Sequence, residues 1–144
     1  MTPLVHLTEA ARELSFVDKT RGHLTGNSMG GYGTWNLSVL RSDWFASAMP
    51  VCGGGGGFAG NLTDLPIRAF HGLQDTTVDP VLDLQMVKAV NLAGGHAELI
   101  LFPDLAHSIW ADVYDNESNY DWLLAFTTER NKELVKRLSG SYRR

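Results

Sequence analysis

Gly26-Asn27-Ser28-Met29-Gly30-Gly31 is the stretch whose reading decides the fold. It has the form G-x-S-x-G. The preceding His23-Leu24-Thr25 is a short β-prone run entered through Arg21-Gly22. The following residues 32–40 carry Trp35, Val39 and Leu40 at helix-forming spacing. Strand, sharp glycine turn and helix form the context of a nucleophile elbow, in which a serine hydroxyl is lifted clear of the backbone. That reading requires Gly26 and Gly30 to lack a Cβ because neighbouring backbone approaches closely. It also places Ser28 at a helix N-terminus, where the dipole favours developing negative charge. A plain glycine turn with an ordinary serine shares the pattern, but the two flanks favour the nucleophile.

The chain has 144 residues, which predicts one domain spanning 1–144. A chain of that length removes roughly 68–70% of its unfolded surface from water. With 44% apolar and 19% charged residues, the composition is that of an ordinary globular protein. A net charge of −4 offers no basic surface for nucleic acid, and no run of about 18 apolar residues predicts a membrane span. Glu9, Arg12 and Glu13 interrupt the N-terminal apolar residues, against a signal peptide. A cytoplasmic location is expected if Met1 is the native start. Cys52 is the single cysteine, so no intrachain disulfide is possible.

Around the elbow the chain alternates helices and strands. Leu4, Leu7, Ala10, Ala11 and Leu14 predict a helix over residues 3–17, with Thr2 as cap and Pro3 in its first turn. Residues 23–27 are the strand into the elbow, and the helix after it runs to about Leu40. Residues 46–52 read as a buried parallel strand. The five-glycine run 53–57 is followed by no G-K-[ST] and fits no dinucleotide fingerprint, so it reads as a flexible turn. Residues 66–71 predict the next strand. A helix follows from Asp79-Pro80 to about Ala93, with Val81, Leu84, Val87 and Val90 as its apolar positions. Residues 97–102 form a fourth strand. Residues 118–138 read as one final helix through Trp122, Leu123, Phe126, Leu134 and Leu138. The pattern is an α/β protein with about four parallel strands and flanking helices.

Ser28, Asp75 and His107 each follow the carboxyl end of a predicted strand, where parallel sheets place their active sites. Their order is serine, acid, histidine. Ser28 Oγ is a weak nucleophile until a base such as His107 takes its proton, and Asp75 would hold the imidazole in the useful tautomer. Taken singly, His107 is an ordinary loop histidine and Asp75 an ordinary turn aspartate. The three in this order at strand ends are a far rarer coincidence. Asp79 competes for the acid role but serves equally well as a helix cap, and Asp104 reads as a turn residue. His71 reads as a packed, hydrogen-bonded histidine. His6, His23 and His96 have no acid or cysteine at ligand spacing, so neither a metal nor a cofactor is expected.

The segments TGNSMGGYGTWNL, VCGGG, FHGLQDTTVDP and LAHSIW resemble the α/β-hydrolase superfamily. They are most similar to its carboxylesterase and prolyl-oligopeptidase-like group, which includes predicted peptidases and polyhydroxybutyrate-depolymerase-like esterases. The resemblance implies a reduced α/β-hydrolase fold and hydrolysis of a small, short-chain ester through an acyl-enzyme. Ser28 matches the nucleophile, Asp75 the acid of the H-G-x-x-D segment, and His107 the base. Met29 matches the backbone donor of the oxyanion hole, and Asn27, Tyr32 and Trp110 are candidate substrate contacts. A peptidase or acyl-peptide hydrolase is the alternative chemistry, and a non-catalytic interaction module the alternative class.

The resemblance covers the catalytic C-terminal half of the family alone. Full-length members carry an N-terminal half with further strands and the loop bearing the second oxyanion donor. Asn27, Tyr32 or the glycine run are candidate substitutes for that donor. Without those strands, residues 23–27 become an open sheet edge, which invites another chain. A homodimer or larger homo-oligomer is the expectation.

Overall fold

The computed structural model describes residues 2–56 and 58–141. Gly57 and Met1 lie outside the described residues, as do the side chains of Thr2 and Leu138. Four parallel strands lie side by side in chain order: β1 (His23–Asn27), β2 (Ser47–Val51), β3 (Ile67–Gly72) and β4 (Ala97–Phe102). Asn27 pairs with Val51, and Gly72 with Phe102, so the carboxyl ends finish along one rim. β1 is an edge strand, as the sequence predicts.

Parallel neighbours need a crossover, and helices supply it. α2 (Met29–Leu40) joins β1 to β2, and α3 (Val81–Leu92) joins β3 to β4. Alternation along the strands sorts side chains between two cores. Ala48, Ile67 and Ala69 face α2 and α3, meeting Trp35, Leu37, Met86 and Val90. Met49, Val51 and Phe70 face the other way, towards Ile109, Val113 and Leu123. These last three belong to, or immediately precede, α4 (Trp110–Tyr114) and α5 (Glu117–Leu124). The β2–β3 connection has no helix among its described residues and buries Ala59, Leu62 and Leu65 in the first core instead.

Three expectations about helices are corrected. α1 (Thr2–Arg12) ends short of residue 17, and Leu7 on it is 68% exposed. The predicted final helix is two: α5 stops at Leu124 and α6 (Thr128–Ser141) restarts after Thr127. There Thr127 Oγ accepts the Arg130 N–H at 3.2 Å, a capping bond that begins a new helix rather than extending an old one. On α3 the buried face is Asp83, Met86, Val87 and Val90, while Val81 and Leu84 are exposed. That face keeps the i, i+3, i+4, i+7 spacing only when Asp83 is counted as an inward residue.

Candidate active site

β1 ends at Asn27 and α2 begins at Met29, which leaves Ser28 alone to turn the chain. Its φ of 56° lies in the left-handed region, uncommon for any residue but glycine and typical of strained functional turns. The Ser28 N–H is anchored to the Val51 carbonyl at 2.8 Å. A Cβ on Gly26 would strike the Gly30 carbonyl. Gly30 itself has open space around it, so the expected close approach there is corrected. Gly31 is the tight neighbour instead: its missing side chain faces the Val51 carbonyl and Gly53.

The other two members come from loops at the same rim. Asp75 follows β3, and its Oδ1 accepts the Thr77 N–H at 2.8 Å and the Val78 N–H at 2.9 Å. His107 follows β4. Its Nδ1 lies 2.7 Å from Asp75 Oδ2 and its Nε2 lies 2.8 Å from Ser28 Oγ. Serine, imidazole and carboxylate therefore form one hydrogen-bonded line, with Nδ1 donating to the carboxylate. Burial opposes the charge on Asp75, but the N–H groups of Val78 and Thr77 and the bond to His107 outweigh it. They hold its carboxyl below the usual range. Asp79 lies off this line, with its Oδ1 accepting the Val81 N–H at 2.9 Å at the start of α3. Asp104 sits in the turn after β4.

The remaining candidates lie near Ser28 or His107 along the chain. Met29 opens α2, so its N–H lacks an intrahelical acceptor, and its side chain is 85% exposed. Tyr32 lines a concavity of about 530 Å³ with Leu4, Leu24 and Met29, beside the outer edge of β1. Asn27 Oδ1 is buried without a hydrogen-bond partner. Trp110 opens α4, half-exposed, three residues after His107. The Gly53 N–H is committed to Asp83 Oδ2 at 3.1 Å, which removes that part of the glycine run from the possible oxyanion donors.

Two supporting residues escape a reading of the sequence. Gly72 is one, since a Cβ there would overlap the carbonyls of Leu105 and Ala106, the residues that lead into His107. Asp83 is the other, fully buried between Trp35 Nε1 at 2.5 Å and His71 Nδ1 at 2.7 Å. The inward spacing of Asp83 on α3 is the signal that could have found it. Among the described residues, Cys52, His71 and Asp75 bring three ligand-type atoms within 4.8 Å. Their donor set suits a metal poorly, because both His71 nitrogens and both Asp75 oxygens are already hydrogen-bonded. Burial, with the Asp75 and Asp83 charges adding to it, also pushes the Cys52 thiol up to about 12.

The same architecture recurs in solved structures. A thermostable esterase superposes with a TM-score of 0.82 at 29% identity, over 88% of this chain and 37% of its own. The chain has the α/β-hydrolase fold. Two more distant neighbours share the fold. The Pyrococcus horikoshii acylaminoacyl peptidase has a TM-score of 0.60 at 18% identity, over 74% of this chain and 23% of its own. Dipeptidyl peptidase 4 of Porphyromonas gingivalis has a TM-score of 0.69 at 16% identity, over 83% and 22%. The chain thus spans well under two thirds of the length of each. No family model and no curated protein matches it. No helix among the described residues is long and apolar enough to cross a membrane.

Proposed function

We propose that the protein is a serine hydrolase that cleaves short-chain carboxylic esters through an acyl-enzyme. The observation that carries this reading is the unbroken line from Ser28 Oγ through His107 to Asp75, with links of 2.8 and 2.7 Å. As Ser28 Oγ attacks the ester carbonyl, its proton passes to His107 Nε2, and Asp75 stabilises the imidazolium that forms. The tetrahedral oxyanion takes the Met29 N–H. When it collapses, His107 returns the proton to the departing alkoxide, leaving Ser28 acylated. Water then attacks the acyl group as His107 accepts its proton; collapse breaks the bond to Oγ, His107 returns the proton to Ser28 Oγ, and the acid leaves.

The likeness to a thermostable esterase at 29% identity supports an ester over an amide substrate. Asn27, Tyr32 and Trp110 are the side chains we assign to the substrate, from their places beside Ser28 and His107 in the chain. No cofactor enters this chemistry. The test is hydrolysis of p-nitrophenyl acetate and butyrate, together with fluorophosphonate labelling, for the native chain and Ser28→Ala. Turnover and labelling that disappear in the variant are expected. Equal rates in the two proteins would overturn the nucleophile assignment, and an unlabelled, inactive native chain would favour an interaction module. Protection from labelling by a peptide rather than an ester would move the assignment to a peptidase.

We also infer a homodimer or larger homo-oligomer. The inference is supported by the edge position of β1 and by Leu7, Phe16 and Met29, which are 68%, 82% and 85% exposed.

A further inference from the structure

His71 is fully buried and transfers no proton in the reaction above, yet both of its ring nitrogens face oxygen acceptors. Nε2 lies 2.9 Å from the Val78 carbonyl and 3.2 Å from Asp75 Oδ2. A carbonyl oxygen only accepts, so Nε2 carries a proton. Nδ1 lies 2.7 Å from Asp83 Oδ2. That oxygen also accepts the Gly53 N–H at 3.1 Å, while Asp83 Oδ1 accepts Trp35 Nε1–H at 2.5 Å. With donors on every side, Asp83 acts as an acceptor on both oxygens, and Nδ1 donates as well. We propose that His71 is an imidazolium paired with Asp83 and serves as a positioning residue for Asp75. The proposal rests on reading Ser28, His107 and Asp75 as the catalytic line.

The consequence is a single chain of contacts, Trp35–Asp83–His71–Asp75–His107–Ser28, running from the core beneath α2 to the nucleophile. A buried cation is tolerable only with a partner, and Asp83 is that partner. Through Val78, His71 holds the loop whose N–H groups grip Asp75 Oδ1; through its charge it favours the ionised form of the acid. The titratable groups facing the ring are Asp83 from α3, Asp75 after β3, Cys52 after β2 and, beyond Asp75, His107. Cys52 adds no charge near neutral pH, since its thiol is pushed up to about 12. Burial works against protonation of His71, but the Asp83 bond, the Val78 carbonyl and the Asp75 charge outweigh it and raise the ring above the ordinary histidine value.

Two measurements on the full chain test the proposal. Long-range proton–nitrogen correlation spectra of the native protein between about pH 6 and 8 read the ring directly. Both His71 nitrogens are expected to be protonated there, and a neutral tautomer would overturn the proposal whether or not any variant folds. Asp83→Asn is close to isosteric: its Oδ1 still accepts from Trp35 Nε1 and its amide can donate to a neutral Nδ1, while the Gly53 N–H loses its acceptor. It should convert His71 to the neutral ring and lower kcat about 10-fold with little change in KM. The acid limb of kcat/KM should move to higher pH, because the cation beside Asp75 is gone. A folded Asp83→Asn protein with an unmoved acid limb would reduce His71 to a packing residue and overturn the positioning role. An inactive native chain that no fluorophosphonate labels would instead defeat the hydrolase reading, and the positioning role with it. The protonation of His71 would still be decided by its own spectrum.

Discussion

Gly72 and Ala106 lie so close that a methyl group on Gly72 would overlap the Ala106 carbonyl. The contact sits where β3 ends and where the chain leaves β4 for His107, so it fixes the height of the imidazole above Asp75. The Gln74 N–H reinforces it by donating to the Leu105 carbonyl at 2.9 Å. Gly72→Ala should force these carbonyls away and carry His107 with them. We expect a stability loss of about 1–3 kcal/mol from overpacking. A displacement of about 1 Å should lower esterolysis on the order of 10²-fold. Thermal melts and p-nitrophenyl acetate rates check both.

The two neighbouring acids should separate cleanly. Asp75 Oδ2 contacts His107 and Asp79 Oδ1 caps α3. Asp75→Asn is expected to reduce kcat by about 10⁴-fold, because the amide no longer selects the useful tautomer. Asp79→Ala should cost about 0.5–2 kcal/mol of stability and leave kcat near the native value. Kinetics and denaturant melts on the two variants would show the reverse pattern if Asp79 were the acid.

Stability should fall on both sides of a plateau. The folded state holds Asp75 below its ordinary 3.8, so its contribution is complete above that value and is lost as pH falls through the lower folded one. His71 is raised above 6.5, so the stability from its proton is complete below 6.5 and is lost as pH rises through the higher folded value. Melting temperature measured against pH should show both descents, and Asp83→Asn should flatten the alkaline one. An alkaline descent that is identical in the variant would exclude His71 as its source.

Cys52 should be inert in the folded protein. It is fully buried, has a φ of 47°, and directs its thiol to the His107 carbonyl at 3.4 Å. With the thiol pushed up to about 12, little thiolate exists at pH 8. A chromogenic disulfide reagent should therefore react only after denaturant is added. Rapid stoichiometric reaction with the native protein would contradict this geometry.

The outer edge of β1 sets the oligomeric prediction. β2 pairs with β1 on one side, and no strand lies on the other among the described residues. Size-exclusion chromatography with light scattering should give a mass of at least two chains. A monodisperse, stable species at 15.8 kDa would rule out self-association.

By itself the sequence determined the four strands, their parallel sense and the places of Ser28, Asp75 and His107 after strand ends. Each of those signals is local: a β-prone run, a glycine turn, a helical period. Residues 23–27 and 97–102 match β1 and β4 to the residue for that reason. The division of residues 118–138 into two helices was also written locally, in the Thr127 cap, but the continuous apolar spacing across it masked the signal. Only the tertiary structure decided what supports the site. Trp35 and Asp83 are 48 positions apart, and Gly72 and Ala106 are 34 apart, so no periodicity links them. Asp83 looks like a solvated helix acid until the fold turns that face inward. Once buried, its charge must find donors, and Trp35, Gly53 and His71 are the donors within reach. The elbow could be read from its own few residues, while the buried charges that steady its acid became visible only when the strands lay side by side.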